Sequence, residues 1–107
     1  MDYATVRDRS KALFGNAHVL PVAGAITDHA GVGGDFTAPE VRAWVGGQAA
    51  DNQIHGVLAR MTKAGALKQL PYPGQPHPRR WERAEHPLWR FVAEWAKVPA
   101  EPARKGG

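Results

Sequence analysis

Residues 51–63 carry the side chains best suited to recognition chemistry, arranged around an apolar stripe. The stripe has the i, i+3, i+4, i+7 spacing of a helix packed on a core, and it consists of Ile54, Val57, Leu58 and Met61. The remaining positions face outward and are polar, basic or small: Asn52, Gln53, His55, Gly56, Ala59, Arg60 and Lys63. The major groove of DNA, about 12 Å wide, admits one helix, and there Asn or Gln pairs with adenine and Arg with guanine. The pattern therefore indicates a helix able to read bases, the alternative being an ordinary solvated helix surface.

A second basic segment follows in a predicted β-hairpin with strands at residues 67–72 and 79–84. The Pro-Gly-Gln-Pro-His-Pro segment between the strands cannot itself form a ladder strand, and it places His77 at the tip. Arg79, Arg80 and Arg83 lie where such a hairpin meets a phosphate backbone or a minor groove. Because side chains alternate along a strand, one of these arginines points away from any groove. The alternative is a solvated strand with a guanidinium stacked on Trp81.

Positive charge is concentrated in the same part of the chain. The protein has 107 residues and a net charge of +4. Residues 51–90 hold seven Lys or Arg against three Asp or Glu, whereas residues 1–50 hold four against five. A polyanionic partner would therefore meet the second half of the chain.

The residue types that are missing disfavour several functions. The chain has no cysteine, which excludes disulfide scaffolds, thiolate metal sites and cysteine nucleophiles. The five histidines follow no metal-binding motif, and no nucleophile–base pair can be read from the few Ser and Thr residues. We therefore expect no enzymatic activity, no cofactor and no metal site. The remaining alternative is a metal site assembled from both subunits of a dimer.

The chain has the length of one domain with a thin core. Only 20 residues are Leu, Ile, Val or Phe, while 18 are alanine, and a small domain of this kind is stabilised by self-association. We expect one domain over residues 1–98 and a disordered tail over residues 99–107, which holds two prolines and ends in two glycines. The start lacks a basic and apolar leader, and the apolar stretches are too short to span a bilayer. These features predict a cytoplasmic protein with no membrane partner.

Local signals predict the elements around this core. Thr37 and Glu40 have the capping-box spacing that begins a helix, and Asp51 is expected to cap the next one. Gly65 is a natural stop for that second helix. The predicted helices cover residues 5–14, 17–28, 38–46 and 51–64, with a short strand at 35–37 before the third, and a last helix after His86-Pro87.

An ordered set of segments runs from Asp35 to Arg83. It consists of Asp35-Phe36-Thr37, a supporting helix over 38–46, the helix over 51–64, its close at Lys63-Ala64-Gly65-Ala66-Leu67, and the hairpin. In this order the segments resemble winged helix-turn-helix transcriptional regulators of the ArsR and MarR type, and residues 11–26 are similar to the lead-in helices of such proteins. The resemblance covers about 90 residues. It implies an α+β, mostly α fold with a two-stranded wing and a C-terminal dimerisation helix, in a member that does not sense metals.

The resemblance also implies a function. This function is sequence-specific binding of double-stranded DNA by a nucleoid-associated transcriptional regulator that acts mainly as a repressor. One helix would lie in the major groove, and the wing would contact the backbone or the minor groove. The residues expected to contact DNA are Thr37, Asn52, Gln53, His55, Gly56, Arg60, Lys63, His77, Arg79 and Arg80. Two alternatives stay open: an adaptor whose basic wing binds an acidic protein, and an architectural DNA binder with little sequence preference.

The terminal helices are expected to form a homodimer. Their apolar face is wider than one small domain needs, and the residues assigned to the interface are Leu13, Leu88, Trp89, Phe91, Val92 and Trp95. A twofold dimer would set two recognition helices about 34 Å apart. The alternative is that this face only closes the core of the monomer. A small-molecule effector would bind between the terminal helices and the core, where Tyr3, Phe14, Trp89 and Trp95 either line a pocket or simply pack together.

Overall fold

The computed structural model describes residues 3–95, which form five helices and three strands. In chain order the elements are α1 (Tyr3–Phe14), α2 (Val19–His29), β1 (Asp35–Thr37), α3 (Ala38–Trp44), α4 (Asp51–Lys63), β2 (Leu67–Gln69), β3 (Arg80–Arg83) and α5 (Pro87–Trp95). The predicted α+β class, mostly helical, and the predicted order of elements are confirmed. The expected tail over residues 99–107 and the end of the expected domain at residue 98 lie outside the described residues.

The two central helices begin with different caps. Thr37 precedes α3, and its hydroxyl accepts a hydrogen bond from the Glu40 backbone N–H while the Glu40 carboxylate accepts one from the Thr37 backbone N–H. This is the predicted capping box. The predicted cap of α4 is wrong by one residue, because Ala50 occupies the cap position and Asp51 is the first helical residue. The Gln53 side chain reaches back and accepts from the Ala50 N–H at 2.8 Å, whereas Ala50 has no side-chain oxygen to accept from the Gln53 backbone N–H.

The three strands form one antiparallel sheet in the order β1-β3-β2. Trp81, on the central strand, lies opposite Phe36 of β1 and Gln69 of β2. Both hairpin strands are shorter than predicted. The ladder between them ends beyond the bond from the Leu70 N–H to the Arg80 carbonyl, since the prolines at 71 and 73 have no N–H to donate.

The core lies between the sheet and the inner faces of the helices. Its largest fully buried side chains include Phe36, Leu20, Ile26, Ile54 and Leu58. Packing of α2 against α1, α3 and α5 places α2 at the centre of the helical layer. Within the described residues, no helix is long and apolar enough to cross a membrane.

A buried serine joins the first two helices. Ser10 is fully buried, and its hydroxyl donates to the Asn16 carbonyl and accepts from the Leu20 N–H at 2.9 Å. The Leu20 N–H belongs to the first turn of α2, where helices leave backbone donors without an internal partner. Ser10 therefore fixes the angle between α1 and α2.

Candidate nucleic-acid interface

Helix α4 presents its polar side to solvent as its sequence pattern predicts. Its apolar stripe is at most 3% exposed and consists of Ile54, Val57, Leu58 and Met61. All the other α4 residues except Thr62, which is half-buried, are exposed. The helix is therefore held by one side and leaves the opposite side free.

Helix geometry orders the exposed residues by how far they lie from the core. At 100° per residue, the positions opposite the buried stripe are Asn52, Gly56, Ala59 and Lys63, which we call the outer line. The outer line is polar or basic at both ends and small in the middle. Because Gly56 and Ala59 add little bulk, a partner surface can approach the helix backbone closely there.

Two of the predicted base readers lie to one side of the outer line. Gln53 uses its side-chain carbonyl to cap the helix, which leaves its amide N–H groups as donors. Arg60 is exposed and lines a mostly apolar depression together with Phe14 and Leu88. Gln53 and Arg60 therefore lie on the flank of α4 that faces away from the hairpin.

His55 lies on the other flank, between α4 and the hairpin. Its ring is 5.9 Å from the ring of Trp81, centroid to centroid. Two open concavities of about 310 and 460 Å³ meet at this point, and His55, Arg79 and Trp81 line both. No Asp or Glu is among the lining residues of either concavity. The two concavities between α4 and the hairpin are thus lined by basic, polar and apolar residues and by no acidic one.

The hairpin loop, residues 70–79, completes this surface. The Arg79 guanidinium lies over the Tyr72 ring, 4.4 Å from its centroid, while the Arg79 side chain stays exposed. His77 is also exposed and closes a turn through its N–H to the Gly74 carbonyl. We call the outer line, His55, His77 and Arg79 the helix–hairpin face.

Arg80 has a different partner from Arg79. Its Nε donates to the Asp35 carboxylate at 2.8 Å, and this hydrogen bond lowers the pKa of Asp35. Arg80 lies on the face of β3 opposite to Trp81, so the sheet directs it away from α4. Of the two neighbouring arginines, Arg80 is therefore the one that points away from the helix–hairpin face.

Two other predicted contacts are explained by local structure. Thr37 is only 6% exposed and its hydroxyl is hydrogen-bonded to Glu40, so it is a helix cap, and we withdraw it from the expected DNA contacts. Arg83 lies at the end of β3 far from the hairpin loop, where it donates to the Ala30 carbonyl. It belongs to the opposite end of the sheet and not to the helix–hairpin face.

Sequence reasoning missed Tyr72 and Gln69. Tyr72 holds the Arg79 guanidinium, and Gln69 lines the larger concavity beside Lys63. Tyr72 falls in a proline-rich segment without periodicity, so its contact depends on how the loop closes. Strand alternation could have placed Gln69. Gln69 lies opposite Trp81 and shares its face of the sheet. Lys68, the preceding residue, therefore points to the other face.

The residues assigned to a dimer interface divide into two groups. Leu13 and Phe91 are 55% and 43% exposed, and Leu88 and Trp95 are half-buried. Trp89 and Val92 are at most 3% exposed and belong to the core of the protomer, which corrects their assignment to a dimer surface. The Trp89 indole N–H donates to the Ala84 and Ala66 carbonyls, so it tethers α5 to the sheet.

The aromatic residues expected to line an effector pocket are also separated. Tyr3 and Trp95 line an open groove of about 590 Å³ together with Trp44. Phe14 lies elsewhere, edge-on to Phe91 at 6.4 Å between centroids, and Trp89 is in the core. The predicted four-residue cluster is therefore not formed.

The described residues form a small, mostly helical α+β fold in which a helix and a hairpin build a basic face. Within residues 3–95, no group of three His, Cys, Asp or Glu residues is placed to hold a metal ion. No family model matches the chain, and searches of curated proteins and of solved structures found no significant similarity.

Proposed function

We propose that the protein is a winged helix-turn-helix DNA-binding protein and that it binds double-stranded DNA as a homodimer. In this proposal α3 is the supporting helix, α4 is the recognition helix in the major groove, and the β2–β3 hairpin is the wing. The order helix, helix, strand, helix, helix, hairpin and the sheet order β1-β3-β2 support it, because this arrangement places a helix and a hairpin side by side on one surface.

The observation that carries the proposal is the charge of the helix–hairpin face. Lys63 and Arg79 are exposed there, and no carboxylate within residues 3–95 lies at ion-pair distance from either. Asp51, the one acid of α4, is paired with Arg42 at 3.2 Å. Cations that lack a carboxylate partner within the described residues, beside acid-free concavities, favour a polyanionic partner, since each neutralised phosphate releases counterions.

The geometry supports separate roles for the side chains of this face. Asn52 is in the first turn of α4, where recognition helices contact base edges, and its amide suits adenine. Lys63 at the other end of the outer line and Arg79 on the wing suit phosphates. Arg60 suits guanine or a phosphate from the flank of the helix.

Dimerisation and regulation complete the proposal. The exposed Leu13 and Phe91 provide the apolar surface for a twofold contact through α1 and α5. Such a dimer would act mainly as a repressor by occupying operator DNA. It would be located in the cytoplasm, on the nucleoid. A palindromic operator is expected because its symmetry mirrors that of the protein.

Selection of bound sequences from a random duplex pool tests this function. The expected result is an enriched palindrome whose affinity falls log-linearly with salt concentration. Lys63→Gln should lower the magnitude of the salt slope by about 1, whereas Lys68→Gln, on the other side of the sheet, is the matched control. Absence of duplex binding at low salt would contradict the proposal and favour the protein adaptor.

One observation favours a second candidate, an architectural binder with little sequence preference. Gly56 and Ala59 occupy the middle of the outer line and offer no polar side chain to a base edge. A helix of this kind approaches the groove closely yet reads few bases. The same selection separates the two functions, because an architectural binder would retain duplexes without enriching a motif.

A further inference from the structure

Arg83 connects the end of β3 to the loop that precedes β1. Its guanidinium donates to the Ala30 carbonyl at 2.6 Å, and its backbone exchanges hydrogen bonds with Gly33 and Gly34. The guanidinium also lies over the Trp89 ring, 4.9 Å from the centroid. These contacts hold the cation against the core, away from the helix–hairpin face.

The charge of Arg83 has no counterion among residues 3–95. The Arg83 Nε is buried and has no hydrogen-bond partner, and no carboxylate lies within ion-pair distance of the guanidinium. Burial lowers the pKa of Arg83, because desolvation disfavours the charged guanidinium. A partly desolvated cation without a counterion is destabilising, and a bound anion would offset that effect.

A cavity of about 610 Å³ adjoins this guanidinium. Arg83, Arg90 and His86 line it, together with the apolar Val32 and Trp89. The His86 Nδ1 accepts from the Leu88 N–H, so the neutral ring carries its proton on Nε2 and remains a donor. Glu85 is the one acidic lining residue. The cavity is thus lined by two arginines, a histidine and an apolar wall.

We propose that this cavity binds a small organic carboxylate, with the carboxylate held by Arg83 and Arg90 and the apolar body against Trp89 and Val32. Guanidinium groups match the planar, two-oxygen geometry of a carboxylate. The nearby Glu85 charge disfavours a doubly charged phosphate more than a singly charged carboxylate. The apolar wall favours a ligand with a hydrocarbon or aromatic body over a bare inorganic ion.

This binding site is independent of the DNA-binding proposal. It lies between α5, the end of β3 and the loop over residues 30–34, and it shares no lining residue with the two concavities of the helix–hairpin face. Binding can therefore be measured on the protein alone. A failure of one proposal leaves the other intact.

The test is a titration of the ¹⁵N-labelled full chain with benzoate, followed by NMR. Benzamide is the uncharged probe of the same shape, and inorganic phosphate tests the competing anion. The expected result is a saturable shift of the Trp89 indole and Arg83 Nε signals with benzoate, and none with benzamide. Absence of saturable shifts with benzoate, or equal shifts with benzamide, would overturn the proposal, and tighter binding of phosphate would overturn its choice of a carboxylate.

Two exposed residues allow variants that leave the fold intact. Arg90→Gln should weaken benzoate binding at least about tenfold, as expected for loss of a charge-assisted hydrogen bond. Glu85→Gln should strengthen binding by removing the opposing charge, and Lys68→Gln is the control for loss of a distant cation. Unchanged affinity in both Arg90→Gln and Glu85→Gln would overturn the assignment even if wild type binds benzoate.

Discussion

Neighbouring arginines in the hairpin have different partners, which limit what each can do. Arg79 lies over Tyr72 and has no carboxylate at ion-pair distance within residues 3–95, whereas Arg80 is bound to Asp35. A stacked guanidinium keeps its N–H groups available to a phosphate, because the ring contacts only its face. An ion-paired guanidinium must first give up a carboxylate. The two side chains therefore differ in availability although they are adjacent in sequence.

Replacement of Arg79 should weaken binding to every duplex alike. Arg79→Gln is expected to reduce affinity for selected and random sequences by a similar factor and to lower the magnitude of the salt slope by about 1, since the contact proposed for Arg79 is to a phosphate. Fluorescence anisotropy over a salt series measures both quantities. Arg80→Gln is the matched control and should have the smaller effect. A larger loss in Arg80→Gln would show that Asp35 does not hold that side chain when DNA is bound.

His18 makes the stability of the fold depend on pH. Burial and the nearby Arg7 lower the pKa of His18 below its ordinary 6.5, and Nδ1 of the neutral ring is 3.1 Å from the Tyr3 hydroxyl. The folded state therefore binds this proton less readily than the unfolded state does. The contribution to stability is complete above pH 6.5 and is lost as the pH falls below that value.

Urea unfolding at pH values from about 5 to 8 tests this dependence. The wild-type free energy of unfolding should decrease towards the acid end of that range, and His18→Gln should make the decrease smaller. His77→Gln, which alters an exposed histidine, should leave the slope as in wild type. The Asp35 carboxyl does not interfere, because its lowered pKa acts below its ordinary 3.8. An equal slope in wild type and His18→Gln would exclude His18 as the source.

Whether a side chain is exposed and free to contact a partner could be predicted from the sequence only where exposure follows from periodicity. The outward positions of α4 follow from the spacing of its apolar residues, and the structure bears that spacing out. Partners across the fold do not follow from it. Asp35 and Arg80 are 45 residues apart, and their contact depends on the sheet register, which a 3-residue strand leaves almost without a sequence signal.

At the scale of elements, helices were easier to predict than strands. Thr37, Glu40 and the glycines at 46 and 65 are local signals, and helix boundaries depend on such signals. Strand ends depend on where a partner strand stops, so both hairpin strands were predicted too long. The cap of α4 was misplaced because its cap residue, Ala50, has no side-chain oxygen, and the Gln53 side chain accepts from the Ala50 N–H from inside the helix instead.

Substitution of Gly56 separates the effect of α4 on protein stability from its proposed role in DNA binding. A Cβ added at Gly56 would meet nothing within 4 Å, so Gly56→Ala should stabilise the protein by about 0.5–1 kcal/mol through helix propensity. If DNA packs closely on the outer line, the added methyl group should at the same time weaken duplex binding. Denaturant unfolding and anisotropy measure the two effects.

Gly24→Ala provides the matched control for this experiment. Gly24 is also helical, in α2, and a Cβ added there likewise meets nothing within 4 Å. It lines the groove beside Tyr3 and Asp28 and lies outside the helix–hairpin face. We expect a similar gain in stability with unchanged DNA affinity. Unchanged DNA affinity in Gly56→Ala as well would place the DNA away from the middle of α4.

At the scale of the whole molecule, the sequence could not show which apolar residues are buried in the core of the protomer and which remain exposed. A thin core and a wide apolar face on the last helix predict self-association. The structure places Trp89 and Val92 inside the protomer and leaves Leu13 and Phe91 exposed. That division depends on how α5 rotates against α2 and the sheet, and helical periodicity fixes the spacing on one helix but not its rotation against others.

The exposed Phe91 allows the proposed contact between two copies of the chain through α5 to be tested. Phe91→Glu should leave the protomer folded, because the side chain is 43% exposed. It should shift the proposed dimer towards monomer, because it would place a charge in the proposed apolar contact. Sedimentation velocity over a range of concentrations measures the shift. The same variant should bind a full palindrome more weakly and a single half-site as well as wild type does, because only the coupling between two recognition helices is lost. Val32→Ser, at an apolar residue exposed 57% on the loop before β1, controls for loss of surface hydrophobicity and should remain dimeric. A monomeric wild type that still prefers a palindrome would place the contact between copies on the DNA and not on α5.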